Sequence, residues 1–172
     1  VKSSTPSICR DALKKSLNII LTTDEATVQK YITDFKEEFF KQQFEDIAFP
    51  RSISDLNKYT KKGDGLIIPK GTPMHARGAL VFNYLLEENN LTKKFEKIKD
   101  GEKIKFCYMK MPNPARQNVL SIVSTLPQAF EMEKYIDYEL QFDKAFIQPL
   151  RAILDAVGWE VEKTNNLMDF FG

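Results

Sequence analysis

At 172 residues, with 42% hydrophobic and 28% charged side chains, the chain has the size and composition of one folded domain, or of one domain with a small appended lobe. Such a length can bury roughly two thirds of the surface its unfolded chain exposes, and thirteen Phe and six Tyr supply large apolar side chains for the core. The net charge of +1 points to no partner, no apolar run reaches the ~18 residues of a membrane span, and the two cysteines lack metal-ligand spacing, so a reducing cytoplasm is the default compartment.

In chain order, Thr5-Pro6 reads as N-cap and first residue of a helix running to about Leu21, with Ala12, Leu13, Leu17 and Ile20 on one face. Thr22 and Thr23 interrupt. A second helix to about Gln43 repeats Val28, Tyr31, Ile32, Phe35 and Phe39 at three- and four-residue steps, and it should pack antiparallel on the first. Phe44 to Phe49 reads as a short strand stopped by Pro50, and Ser52 to Tyr59 as one or two helical turns. A loop from Lys61 to Thr72 carries Gly63, Gly65, Pro69 and Gly71. A third helix spans Met74 to Asn89. After the Asp100-Gly101 turn, Ile104, Phe106 and Tyr108 alternate with Lys103, Lys105 and Cys107, the pattern of a half-buried strand over Lys103–Met111. Val119 to Ser124 is a second strand. A last helix, starting near Met132 or Tyr135, ends at Val157 before Gly158. The fold class is α+β: a helical body with a small antiparallel β subdomain over residues 1–162, followed by a tail over 163–172.

Charge is unevenly spread. Asp24 to Asp46 holds seven acids against three lysines, Lys93 to Arg116 eight bases against three acids, and Glu131 to Gly172 nine acids against four bases. Lys58 to Gly78 holds five bases and the single acid Asp64. Its core, Lys70-Gly71-Thr72-Pro73-Met74-His75-Ala76-Arg77-Gly78, is a basic loop entering a helix, preceded by Lys58, Tyr59, Lys61 and Lys62. Bases beside helix-start N–H groups make a phosphate seat; the bland alternative is a surface loop with incidental lysines. Catalytic patterns are missing: the single histidine, His75, has no nucleophile partner, and neither a phosphate-binding glycine loop nor a zinc spacing occurs.

Lys2-Ser3-Ser4-Thr5-Pro6, the Lys58-Tyr59 pair and the Lys70–Gly78 stretch together resemble the thumb of T-even-type phage DNA polymerases of the B family. The resemblance continues in order through Tyr135-Ile136-Asp137-Tyr138, Gln141-Phe142 and Phe146-Ile147-Gln148-Pro149-Leu150. Met74 stands where that family commonly has phenylalanine, and Asp100 to Thr125 matches only loosely. The resemblance implies a non-catalytic thumb that wraps primer–template duplex. Lys2, Ser3, Ser4 and Thr5 would then contact DNA at the thumb base, and Lys58, Tyr59, Lys61, Lys62, Lys70, His75 and Arg77 near the phosphate backbone. It also implies that catalytic aspartates and magnesium belong to an absent palm and proofreading carboxylates to an absent exonuclease domain. The partners are duplex DNA and the rest of the polymerase, in an infected bacterial host. A start at Val1, dropping at once into a helix signal, fits a fragment.

In the tail, Leu167 stands three residues before the pair Phe170-Phe171, with Met168 between. The pattern resembles peptides that bind sliding clamps, with Thr164 in place of their glutamine. A C-terminal apolar cluster also packs back on its own domain in many proteins. Two other readings of the whole chain stay open: a stand-alone protein-interaction module, and a small enzyme with a scattered site.

Overall fold

The computed structural model of the chain describes residues 2–59 and 66–163. Two helices open it, α1 (Ser7–Thr22) and α2 (Glu25–Phe40), packed on each other. Asp24 caps α2: its carboxylate accepts from the Thr27 N–H at 2.9 Å and the Thr27 hydroxyl at 2.7 Å. The expected cap of α1 is different. Pro6 itself is the N-cap, one position earlier than its reading as first helical residue, and no side chain of Thr5 closes the helix start. Leu17, placed on the core face by sequence, is 43% exposed, while Cys9 and Ser16 are buried in its stead. The Ser16 hydroxyl can be buried because it donates to the Ala12 carbonyl at 2.8 Å.

Val28, Ile32, Phe35 and Phe39 of α2 are buried as their spacing predicts, and Tyr31 packs partly buried beside them. Phe35 meets Phe146 edge-on at a centroid distance of 4.8 Å and Phe142 at 5.9 Å; Phe39 meets Phe142 at 5.2 Å. Each such pair adds about 0.5–1.5 kcal/mol beyond burial, so this knot fixes the Phe142–Phe146 segment on α2.

The strand expected over Phe44–Phe49 is instead one helical turn, α3 (Phe44–Ile47), and strand β1 begins where that strand should end, at Phe49–Ser52. Pro50 does not stop it. The sheet order is β1-β2-β3, so β1 is an edge strand, where a missing N–H costs no ladder bond on the open side. β2 (Lys103–Tyr108) is shorter than expected, Met109 continuing only as an isolated bridge to Ile136. β3 (Val119–Ile122) completes an antiparallel sheet with Phe49 opposite Phe106 and Tyr108 opposite Val119.

The half-buried reading of β2 is corrected at Cys107. That residue is buried on the face assigned to solvent, because α3 covers it; its Sγ lies 3.6 Å from the Phe44 carbonyl and the Lys105 Nζ donates to the Glu45 carbonyl at 3.2 Å. On the sheet's other side lies α4 (Met74–Glu88), seated on β3 through Gly78.

The last helix starts later than expected. Met132 is buried in a non-helical segment, and Asp137 caps α5 (Tyr138–Phe142) by accepting from the Leu140 N–H at 3.0 Å. A π-turn over Asp143–Ile147 leads into α6 (Gln148–Val157), where Pro149 sits in the first turn and Gly158 closes the end with φ of 72°. Among the described residues no helix is long and apolar enough to cross a membrane.

Candidate nucleic-acid interface

The start of α4 is held from three directions. From below, the chain enters it through a turn in which the Thr72 hydroxyl donates to the Pro69 carbonyl at 2.7 Å and Gly71 takes a φ of 86°, leaving Lys70 exposed immediately before the helix. Thr72 is thereby buried, and Pro73 is the N-cap, so its lack of an N–H leaves no donor unpaired. From the sheet side, the Ser121 hydroxyl of β3 donates to the His75 carbonyl at 2.9 Å. Close approach is possible because residue 78 is glycine: a Cβ there would lie 2.3 Å from the Ser121 Oγ and 2.6 Å from its backbone nitrogen. From the loop side, Arg77 donates through Nη1 to the Gln117 side-chain oxygen at 3.0 Å. That loop is organised by buried Asn113, whose Nδ2 donates to the carbonyls of Lys110 and Gln117 at 2.8 Å each, with Lys110 and Arg116 exposed on it.

The N-terminal segment joins the same region through a residue that sequence reading passed over. Arg51 of β1 donates to the Ser4 carbonyl at 2.8 Å and lies over the rings of Phe49 and Phe106, 5.4 Å from each centroid. Residues 2–5 form a turn closed by the Thr5 N–H donating to the Lys2 carbonyl at 3.1 Å, with Lys2 and Ser3 exposed and Ser4 and Thr5 half-buried. The Arg51 charge also acts on His75. Burial and, second, that guanidinium pull the His75 imidazole below its ordinary value. Period-two alternation puts Arg51 on the same face as Phe49, a signal the sequence contains but which the misplaced strand boundary hid.

The structure thus ties Ser4 to Arg51, His75 to Ser121 and Arg77 to Gln117, with Lys70 exposed on the turn that enters α4. Lys58 is exposed on the short helical turn Leu56–Tyr59, which packs on α4, and its ammonium lies over the Tyr59 ring at 5.8 Å. Lys61 and Lys62 lie outside the described residues, as do Leu167, Met168, Phe170 and Phe171 of the tail. Among the described residues no group of three or more His, Cys, Asp or Glu side chains is assembled to hold a metal.

These features define an α+β protein whose basic helix start is braced between a small sheet and an ordered N-terminal turn. Over 99% of its length the chain is 28% identical, in 176 aligned residues, to the DNA-directed DNA polymerase of Enterobacteria phage T4. It is 29% identical over 174 residues, again 99% of the chain, to the DNA-directed DNA polymerase of Escherichia phage RB69. The chain spans 19% of each of these relatives, about a fifth of their length. No family model matches it. The resemblance to T-even-type phage polymerases therefore holds along essentially the whole chain, which corresponds to one segment of such an enzyme.

Proposed function

We propose that the chain is the non-catalytic thumb of a B-family phage DNA polymerase, gripping primer–template duplex through its phosphates and carrying a C-terminal peptide for the sliding clamp. The observation that most supports the grip is the bracing of the α4 start: Ser121 holds the His75 carbonyl, Gln117 holds Arg77, and Lys70 stands exposed on the turn that enters the helix. Such an arrangement suits sequence-independent holding. Lysine and arginine neutralise phosphates and release counterions, while hydroxyls and backbone amides set register without reading bases. A polymerase that copies every sequence has no use for base readout at this place. The relatives' names and the chain's share of them support catalysis lying elsewhere in a longer phage enzyme, acting in the infected host cell.

A gel-shift titration of the 172-residue chain on primer–template duplex across a salt series tests the grip. Log affinity should fall linearly with log salt at a slope of about −0.9 per neutralised phosphate, and Lys70→Ala with Arg77→Ala should each reduce that slope by about one. A salt-independent shift, or none with the chain at high concentration, speaks for a protein-interaction module instead.

The clamp reading is carried by the sequence of the tail, Leu167 to Phe171, after a polar spacer. Seating Phe170 and Phe171 in a partner groove stabilises by about 1.5–3 kcal/mol each, partly offset by ordering the tail. Tethering of this kind raises the effective concentration of enzyme at the primer end without new DNA contacts.

A further inference from the structure

We infer that Arg51 is a positioning residue for duplex binding: it clamps the Lys2–Thr5 turn to the sheet edge so that this turn and the start of α4 present one basic surface. The inference rests on the duplex-gripping reading and adds to it a residue outside the resemblance. Arg51 lies on the edge strand β1, and its fork reaches in two directions at once. Nη1 donates to the Ser4 carbonyl at 2.8 Å and to the Pro50 carbonyl at 2.7 Å, while the guanidinium plane covers Phe49 and Phe106. Arginine suits this role because its flat, weakly hydrated cation stacks on rings and donates in fixed directions; lysine does neither.

The ion pairs among the described residues are Lys30–Asp34, Lys36–Glu139 and Lys97–Glu87, so Arg51 is held by carbonyls and rings rather than by a carboxylate. No carboxylate among the described residues forms an ion pair with it, and Lys2 stands exposed in the turn that it holds. A half-buried cation held in this way fixes geometry. The Lys2–Thr5 turn has one internal hydrogen bond, from Thr5 to Lys2, and 47 residues separate Ser4 from its partner Arg51. The Arg51 bond thus ties the turn to a strand distant in the chain.

The test compares the full chain with its Arg51→Met and Arg51→Lys variants in two measurements. One is hydrogen exchange at the Thr5 amide, together with titration of the single His75 by NMR. The other is duplex affinity across a salt series. Both variants should speed Thr5 exchange, and Arg51→Met should move His75 back toward its ordinary value. Both should weaken duplex binding about ten-fold, the equivalent of one charge-assisted hydrogen bond, with an unchanged salt slope. Full rescue by lysine together with a slope reduced by about one in Arg51→Met makes Arg51 a direct phosphate contact and overturns the inference. So does unchanged Thr5 exchange in both variants. If Arg51→Met fails to fold, the lysine variant carries the same comparison. Absence of duplex binding by the unaltered chain sinks the gripping reading itself, and Thr5 exchange still decides whether the clamp exists.

Discussion

At the residue scale, Gly78 is the position where a single carbon matters most. Its absent Cβ lets α4 lie on β3, and an added methyl would collide with the Ser121 Oγ, the Ser121 nitrogen and the Leu120 carbonyl carbon at 2.3, 2.6 and 3.0 Å. Two of these are backbone atoms and cannot rotate away. Gly78→Ala should therefore destabilise by about 1–3 kcal/mol, read as a lower urea midpoint, and break the Ser121–His75 hydrogen bond. His75 gives a pH-dependent counterpart. Its folded-state value is depressed below 6.5, by burial first and Arg51 second, so the unfolded chain takes up the proton more readily. Stability from this group is undiminished above 6.5 and decreases as pH falls from there through the folded value. His75→Gln should flatten that part of the profile, seen as a smaller difference in urea midpoint between neutral and mildly acidic buffer. The glycine and the histidine are legible in the Lys70–Gly78 stretch, but their contacts with Ser121 are not, because Ser121 lies 43 residues beyond Gly78 in the chain.

At the scale of elements, Gln141 shows how a polar side chain joins three of them. It is fully buried on α5; its Nε2 donates to the Ile47 carbonyl at 2.8 Å, and its Oε1 accepts from the Tyr108 N–H at 3.0 Å. It thus closes backbone groups at the end of α3 and the end of β2 that no strand or helix partner satisfies there. Gln141→Leu keeps the volume but orphans both, and should lower stability by about 1–3 kcal/mol for each group left unpaired, measured by chemical denaturation. The sequence marked Gln141-Phe142 only as part of a resemblance. Helical periodicity was enough to identify α1, α2 and α4 and the buried face of α2, since local spacing decides which side of a helix is apolar. It misread Phe44–Phe49, where Phe44 and Ile47 suit one helical turn as well as a strand. Only packing over Cys107 selects the helix.

For the whole molecule, the separation of grip and tether is the main expectation. Deleting Leu167 to Gly172 should abolish pull-down by the cognate sliding clamp and leave duplex affinity and its salt slope unchanged. Undiminished pull-down would refute the tail's role. The basic surface and the tail belong to opposite ends of the chain, and charge follows the same division: residues 131–172 are net acidic while 58–78 are net basic. An anionic duplex should favour the latter and leave the acidic C-terminal stretch, with Asp143, Asp155 and Glu160, facing away from phosphates.

By itself the sequence determined the helical body, the small sheet, the basic entry to α4 and the kinship with T-even-type phage polymerases. Each of these depends on local spacing or on the order of short segments along the chain. Tertiary structure alone decided that Pro50 lies within an edge strand, that Cys107 is covered, that Gln141 stitches α5 to the sheet, and that Arg51 binds the N-terminal turn. These follow from contacts between segments tens of residues apart, where the free energy of burial and of paired donors overrides what neighbouring residues prefer.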